Sequence, residues 1–225
     1  IPVGFEMLYN TFSIGILGMI LALIANVAIG PVVVAFSNAA GAAVDWMVNA
    51  RLLPLAAIII EPAKVLFLNN AINHGVLGPL GVTAAAESGR AIHFLLETNP
   101  GPGLGLLIAF YIAGKGLLKD SATGSMVVHF FGGIHEIYFP YVLAHPIMIL
   151  AVIAGGFSAD LWFTITNAGL VATPAPGSIF AYLAVTPPGQ HFAVLGGVLI
   201  CEVEYSVIKV LLLRFSPVPE EKTEG

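Results

Sequence analysis

The stretch Gly132-Gly-Ile-His-Glu-Ile-Tyr-Phe-Pro-Tyr141 puts a carboxylate, an imidazole and three aromatic rings inside an otherwise apolar part of the chain. An acid is expensive to keep in such surroundings, and an intramembrane acid by default marks a substrate or ion path. An uninterrupted helix would leave the carbonyl of Glu136 without a backbone donor, because Pro140, four residues on, has no N–H. The helix break and the carboxylate are therefore expected together. A carboxylate that accepts from neighbouring hydroxyls, with His135 at its side and Tyr138, Phe139 and Tyr141 as apolar walls, suits a polyol held in a dry site. The competing reading pairs Glu136 with a buried cation such as Lys64, so that it only fixes helix packing.

A second polar group lies upstream. Asn70 and His74 are four residues apart and share one face of a helix, with Asn73 beside them, a mixed set of donors and acceptors that hydroxyl-rich ligands require. The same residues could instead form a polar helix end bonded to its own loop, since Gly75, Gly78, Pro79 and Gly81 follow. Glu61 and Lys64 read as a structural ion pair, with Pro62 biasing Glu61 out of helical geometry and suggesting a break there. Glu97, just ahead of Asn99-Pro100-Gly101, is expected at an exposed loop.

Other chemistries fit less well. Gly101, Gly103 and Gly105 lack the strand and lysine of a phosphate-cradling loop. His129, His135 and Glu136 suggest a metal-dependent intramembrane enzyme as an alternative, yet zinc-protease spacing and cysteine ligands are missing from them. No cofactor, metal set or catalytic residue is assigned. The lone Cys201 sits in an apolar run and cannot form an internal disulfide. Glu202, Glu204 and Lys209 on the last span are expected to face protein or water rather than lipid.

The elements that position these residues are set by the solvent. Of 225 residues, 58% are hydrophobic and 9% charged, against about 45–50% and 25% in soluble domains. With a mean hydropathy of +0.95, lipid is the natural surrounding and a water-soluble single domain is excluded. A net charge of −5 leaves no basic surface for phosphates, so nucleic acid is not a partner.

The chain is expected to be all-α, a polytopic membrane protein with broken helices and re-entrant hairpins. Phe12 to Phe36 is the clearest span, Ser37 to Arg51 is amphipathic, and Ala84 to Glu97 reads as interfacial. Asn-Pro-Gly-Pro-Gly at 99–103 forbids continuous helix, and a short span runs from Leu104 to Ala113. Further spans follow on both sides of 132–136, from Leu161 to Ala172, and from Phe192 to Phe215. Lys115 and Lys119, with Arg214 and Lys222, put their loops on the cytoplasmic side. Repeated Pro/Gly interruption beside polar residues points to a transporter-like core, because non-helical backbone at membrane depth must be buried in protein or line a wet cavity. The start, Ile1 without Met or a basic leader, reads as a truncation.

The segments Leu66-Phe-Leu-Asn-Asn-Ala-Ile-Asn-His-Gly75, Asn99-Pro-Gly-Pro-Gly103 and His129-Phe-Phe-Gly-Gly-Ile-His-Glu-Ile-Tyr-Phe-Pro-Tyr141 resemble the mannitol-specific enzyme IIC permeases of the bacterial phosphotransferase system. The similarity runs from about Phe5 to Thr186. It implies a homodimeric, multi-pass permease of the bacterial inner membrane that binds mannitol or a related hexitol. The sugar site would lie in a mobile transport domain, with Glu136 in the Gly-Ile-x-Glu motif as the anchor. Residue by residue, His135, Asn70, His74 and Glu97 fall in matching motifs and become candidate substrate-binding residues.

The resemblance also implies a cytoplasmic IIB partner whose phosphocysteine phosphorylates the substrate. Cys201 is not assigned that role, so no phosphoryl-carrying residue is identified in this chain. Residues 1–215 read as the membrane domain, without several of the family's N-terminal segments, and 216–225 as the start of a cytoplasmic linker. Asp160, Glu202 and Glu204 depart from the apolar or small residues expected there. An inert truncated membrane fragment is the third reading.

Overall fold

The computed structural model describes residues 5–50 and 52–215. Arg51, Lys222 and the 216–225 tail lie outside the described residues, as do the side chains of Lys209 and Arg214. The described chain contains no β-strand and 79% of it is helical. A single antiparallel bridge joins Ala91 to Leu170.

Two units divide at Ala40 and Gly41. The first holds α1 (Glu6–Ala28) and the start of α2 (Gly30–Asn49). The expected span Phe12 to Phe36 is two helices, parted at Ile29. Pro31 causes the break: it withholds the N–H that the carbonyl of Val27 needs, yet it fits the first turn of the next helix. Three helices among the described residues are long and apolar enough to cross a membrane, within Tyr9–Ala28, Gly30–Val48 and Met148–Ile165.

The second unit is built of shorter pieces. A 3-10 turn (Leu53–Ala56) leads into α3 (Ala57–Val65), which carries Pro62 in its interior. The break expected at Glu61 does not occur. Glu61 stays helical, one turn from Lys64, and the two close an ion pair at 2.6 Å that helical i,i+3 spacing makes possible. α3 stops instead at Leu66 and Phe67, the latter at φ 60°.

α4 (Asn69–Ile72) runs into a π-helical turn (Asn73–Leu77) and then α5 (Gly78–Ser88), α6 (His93–Leu96) and α7 (Gly101–Ala113). α8 (Gly116–Met126) ends in a second π-helical turn (Val127–Phe131), followed by a 3-10 turn (His135–Tyr138) and α9 (Phe139–Ala144). α10 (Met148–Ile165), α11 (Ile179–Ala184) and α12 (His191–Phe215) complete the unit. α6 and α7 are joined by a buried loop, and each is too short to cross a bilayer alone.

α7 packs on α12, and α10 packs on both α12 and α3. The glycines of α7 allow this approach. A Cβ at Gly101 would lie 2.6 Å from the carbonyl of Val198 and 2.9 Å from Cys201, and Ser206 Oγ donates to the carbonyl of Gly105 at 3.2 Å. This is the small-residue packing of membrane helices. One apolar cluster gathers Phe110, Phe139, Tyr141 and Val152, and another gathers Phe94, Phe163, Tyr182 and Val198.

Candidate functional site

The helix break sits upstream of Glu136 rather than at Pro140. Gly133 has φ 74°, and a Cβ there would come within 2.9 Å of Ser178, so glycine's left-handed freedom makes the turn. The backbone resumes as the 3-10 turn that carries His135 and Glu136, and Pro140 occupies the permissive first turn of α9. Glu136 is half-buried and accepts from Asn69 Nδ2 at 3.4 Å.

His135 and Glu97 meet in the interior, Nδ1 to Oε1 at 3.6 Å. Glu97 is 0% exposed, which corrects the expectation of an exposed loop residue. The loop around it is folded inward, and the polar atoms of its neighbours Thr98 and Asn99 are bound. Thr98 Oγ1 donates to the carbonyl of Phe94, Gly177 N–H donates to the carbonyl of Thr98 at 3.0 Å, and Asn99 Oδ1 accepts from Gly101 N–H at 2.9 Å. Tyr182, on α11, donates from its hydroxyl to the carbonyl of Leu95 at 3.0 Å.

Asn70 and His74 lie on the exposed side of their helix, while Asn69 and Asn73, at the same spacing one residue earlier, are buried. The structure thus brings together Glu136, His135 and Glu97. The His74 ring is exposed, and Asn69 faces Glu97 as well as Glu136. Residue spacing alone did not reveal that Asn69 and Asn73 are the inward pair. Their signal was the polar run 69–74, whose inward face only packing selects.

Lys64 is fully buried with Glu61, so it does not cap Glu136. Its charge bears on Glu97, His135 and the buried Asp160 of α10. Tyr138 and Phe139 form the wall. Tyr138 stands edge-on to His129, His135 and Phe139 at centroid distances of 5.5, 5.7 and 4.9 Å. Tyr141 is turned elsewhere, its hydroxyl 2.8 and 2.9 Å from Ser121 and Ser125. The ring nitrogens of His129 face the carbonyls of Pro100 and Ile134, not Glu136.

Several of these interior groups lack partners. Neither oxygen of Glu97, neither side-chain amide atom of Asn73 and not Nε2 of His135 closes a hydrogen bond within the protein. An unsatisfied buried polar group costs about 1–3 kcal/mol, so a cluster of them beside a half-open carboxylate is the chemistry of a ligand rich in hydroxyls.

The class is an all-helical membrane protein whose polar groups are gathered inside at broken helices. Three comparisons narrow it. The chain is 64% identical over 192 residues to the "PTS system mannitol-specific EIICB component" of Halalkalibacterium halodurans, covering 85% of this chain and 41% of that protein. It is 57% identical over 218 residues to the protein of the same name from Geobacillus stearothermophilus, covering 97% and 46%. It is 53% identical over 218 residues to the "PTS system mannitol-specific EIICBA component" of Escherichia coli, covering 97% and 34%. The chain belongs to the mannitol-specific EIIC family of the phosphotransferase system. It spans less than half the length of these curated relatives. No family model matches it, and no solved structure does.

Proposed function

We propose that the chain is the sugar-binding, membrane-crossing part of a mannitol permease, taking up mannitol or a close hexitol for phosphorylation by a cytoplasmic IIB domain. The observation that carries this reading is the unfilled hydrogen-bonding capacity of the buried Glu97, His135 and Asn73, next to the half-buried Glu136. Glu136 accepts hydrogen bonds from the hexitol hydroxyls. His135 and Glu97 bind deeper hydroxyls, with Asn70 and His74 at the outer side. A charged acceptor makes hydrogen bonds about twice as strong as neutral ones, so Glu136 anchors the ligand.

Phosphorylation follows at a terminal hydroxyl. Its oxygen attacks the phosphorus of the partner's phosphocysteine, the S–P bond breaks as the O–P bond forms, and the hydroxyl proton passes, directly or through water, to the released cysteine thiolate. The names of the relatives, which join IIC to IIB and in some cases IIA, support this partnership. The working unit is a homodimer, multi-pass in the bacterial inner membrane. Residues 1–215 form the membrane domain and 216–225 start the linker toward IIB. Nothing found among the relatives favours a metal-dependent intramembrane enzyme or an inert fragment.

Titration of the purified chain with radiolabelled mannitol tests the reading. Saturable binding is expected, and Glu136→Gln should weaken it at least tenfold, the loss of about 1.4 kcal/mol. Equal affinity in parent and Glu136→Gln would refute the role of that carboxylate. A panel of polyols ranks the preferred stereochemistry, and added IIB phosphoprotein reports phosphoryl transfer.

A further inference from the structure

His129 is 0% exposed and lies outside the set of groups proposed to touch the hexitol. It is held on every side. Its Nε2 is 3.0 Å from the carbonyl of Pro100, at the end of the loop that carries Glu97. Its Nδ1 is 3.3 Å from the carbonyl of Ile134, the residue before His135. Its ring stacks on that of His135, with centroids 5.1 Å apart and planes 25° from parallel.

Two glycines close over the ring. A Cβ at Gly103 would lie 2.5 Å from Nε2 of His129, and one at Gly177, where φ is 88°, would lie 2.8 Å from its Cε1 and 2.7 Å from Cδ2 of His135. A neutral imidazole has one N–H and donates once. Of the two carbonyl contacts, 3.0 Å at Nε2 and 3.3 Å at Nδ1, the shorter is assigned the N–H.

We propose that His129 is the positioning residue of the hexitol site: by donating from Nε2 to the carbonyl of Pro100 and stacking on His135, it fixes the Glu97 loop and the His135 ring relative to each other. This rests on the hexitol reading for its consequence in binding, but the geometric claim stands on its own. Glu97 and His135 come from segments 38 residues apart in sequence, and their 3.6 Å approach needs a tie between the two backbones. His129 touches both. A dry interior rewards such pre-organisation, since a ring free to turn would have to be ordered on binding.

Chemistry distinguishes this role from space-filling. A glutamine at 129 places its amide nitrogen near the position of Nε2, and an asparagine places its own near Nδ1. In the purified full chain, mannitol titration should therefore show His129→Gln within about threefold of the parent. His129→Asn and His129→Leu should lose tenfold or more, the size of one buried hydrogen bond with its orphaned acceptor. A packing role would instead favour leucine over glutamine.

The second readout needs no sugar. With 15N-labelled histidines, the His135 ring resonances should shift in both variants, since the stacked ring is lost, but clearly less in His129→Gln than in His129→Asn. If Gln and Asn lose affinity equally, or if His129→Leu binds as the parent does, the positioning role is overturned. If the parent binds no hexitol, the functional reading falls while the His135 resonances still decide the geometric claim. Equal shifts in the two variants overturn it. Where His129→Leu fails to fold, the Gln and Asn pair decides, and a His129→Gln that also fails to fold overturns the donor assignment.

Discussion

α1 and the segments around His135 are solutions to opposite problems. α1 is an apolar rod with Glu6 alone in its first turn, and the apolar side chains from Phe12 to Ile24 are exposed. The stretch from Val127 to Ala144 passes through a π-helical turn, two glycines, a 3-10 turn and a short helix, and it buries His129, His135 and Tyr138. The first is built to face a solvent as oily as itself, where nothing polar need be satisfied. The second hides polar groups, which requires backbone that leaves the helix to be surrounded by protein. In lipid, irregularity marks function and regularity marks the wall.

The comparison can be broken most severely at Glu97. Replacing it by alanine removes a buried acceptor and leaves His135 without its carboxyl neighbour. Mannitol affinity should fall by about a hundredfold, near 3 kcal/mol, measured by titration. An affinity within threefold of the parent would move the sugar away from this acid.

Gly103→Ala tests how tightly the polar side is packed. The added carbon meets His129 and Tyr138, both at 2.5 Å, so overpacking should cost about 1–3 kcal/mol of stability, read as a lower Tm in detergent. Tyr182→Phe removes the hydroxyl that donates to the carbonyl of Leu95 and meets Thr98 Oγ1 at 3.2 Å. A loss of about 1 kcal/mol is expected, with Tm again the measure.

The smallest effect belongs to the wall. Leu21, 54% exposed on α1, should tolerate alanine with a change within about 0.5 kcal/mol, followed by thermal unfolding. A larger loss would sharpen the contrast by showing that this face of α1 packs against protein. Mannitol itself should protect: at a hundred times its Kd it adds roughly 2.7 kcal/mol to the folded state, and at the same concentration Glu136→Gln, binding tenfold more weakly, should lose about half of that shift.

Much of the architecture was legible from residue order because lipid imposes a blunt rule. Apolar content and the length of unbroken runs gave the helical membrane class, and Pro140 four residues after Glu136 gave a break beside an acid, although the structure makes that break at Gly133. The Glu61–Lys64 pair was readable from its spacing, and the structure closes it at 2.6 Å. Other readings failed where proline signals were weighed without their place in a helix. Pro62 sits inside α3, and Pro140 opens α9 rather than ending a helix.

Which face of a polar run points inward, and which distant loop meets which, were beyond the sequence. Asn69 and Asn73 are buried where Asn70 and His74 are not, although all four are polar and the helical period fits either pair. Glu97 looked like a loop acid and is fully interior, because Gly177 and Tyr182 bind the loop from other parts of the chain. Local rules act over one or two turns of backbone. The meeting of Glu97 with His135, clamped by His129 between two glycines, depends on long-range packing that no local period encodes, and only the folded chain decides it.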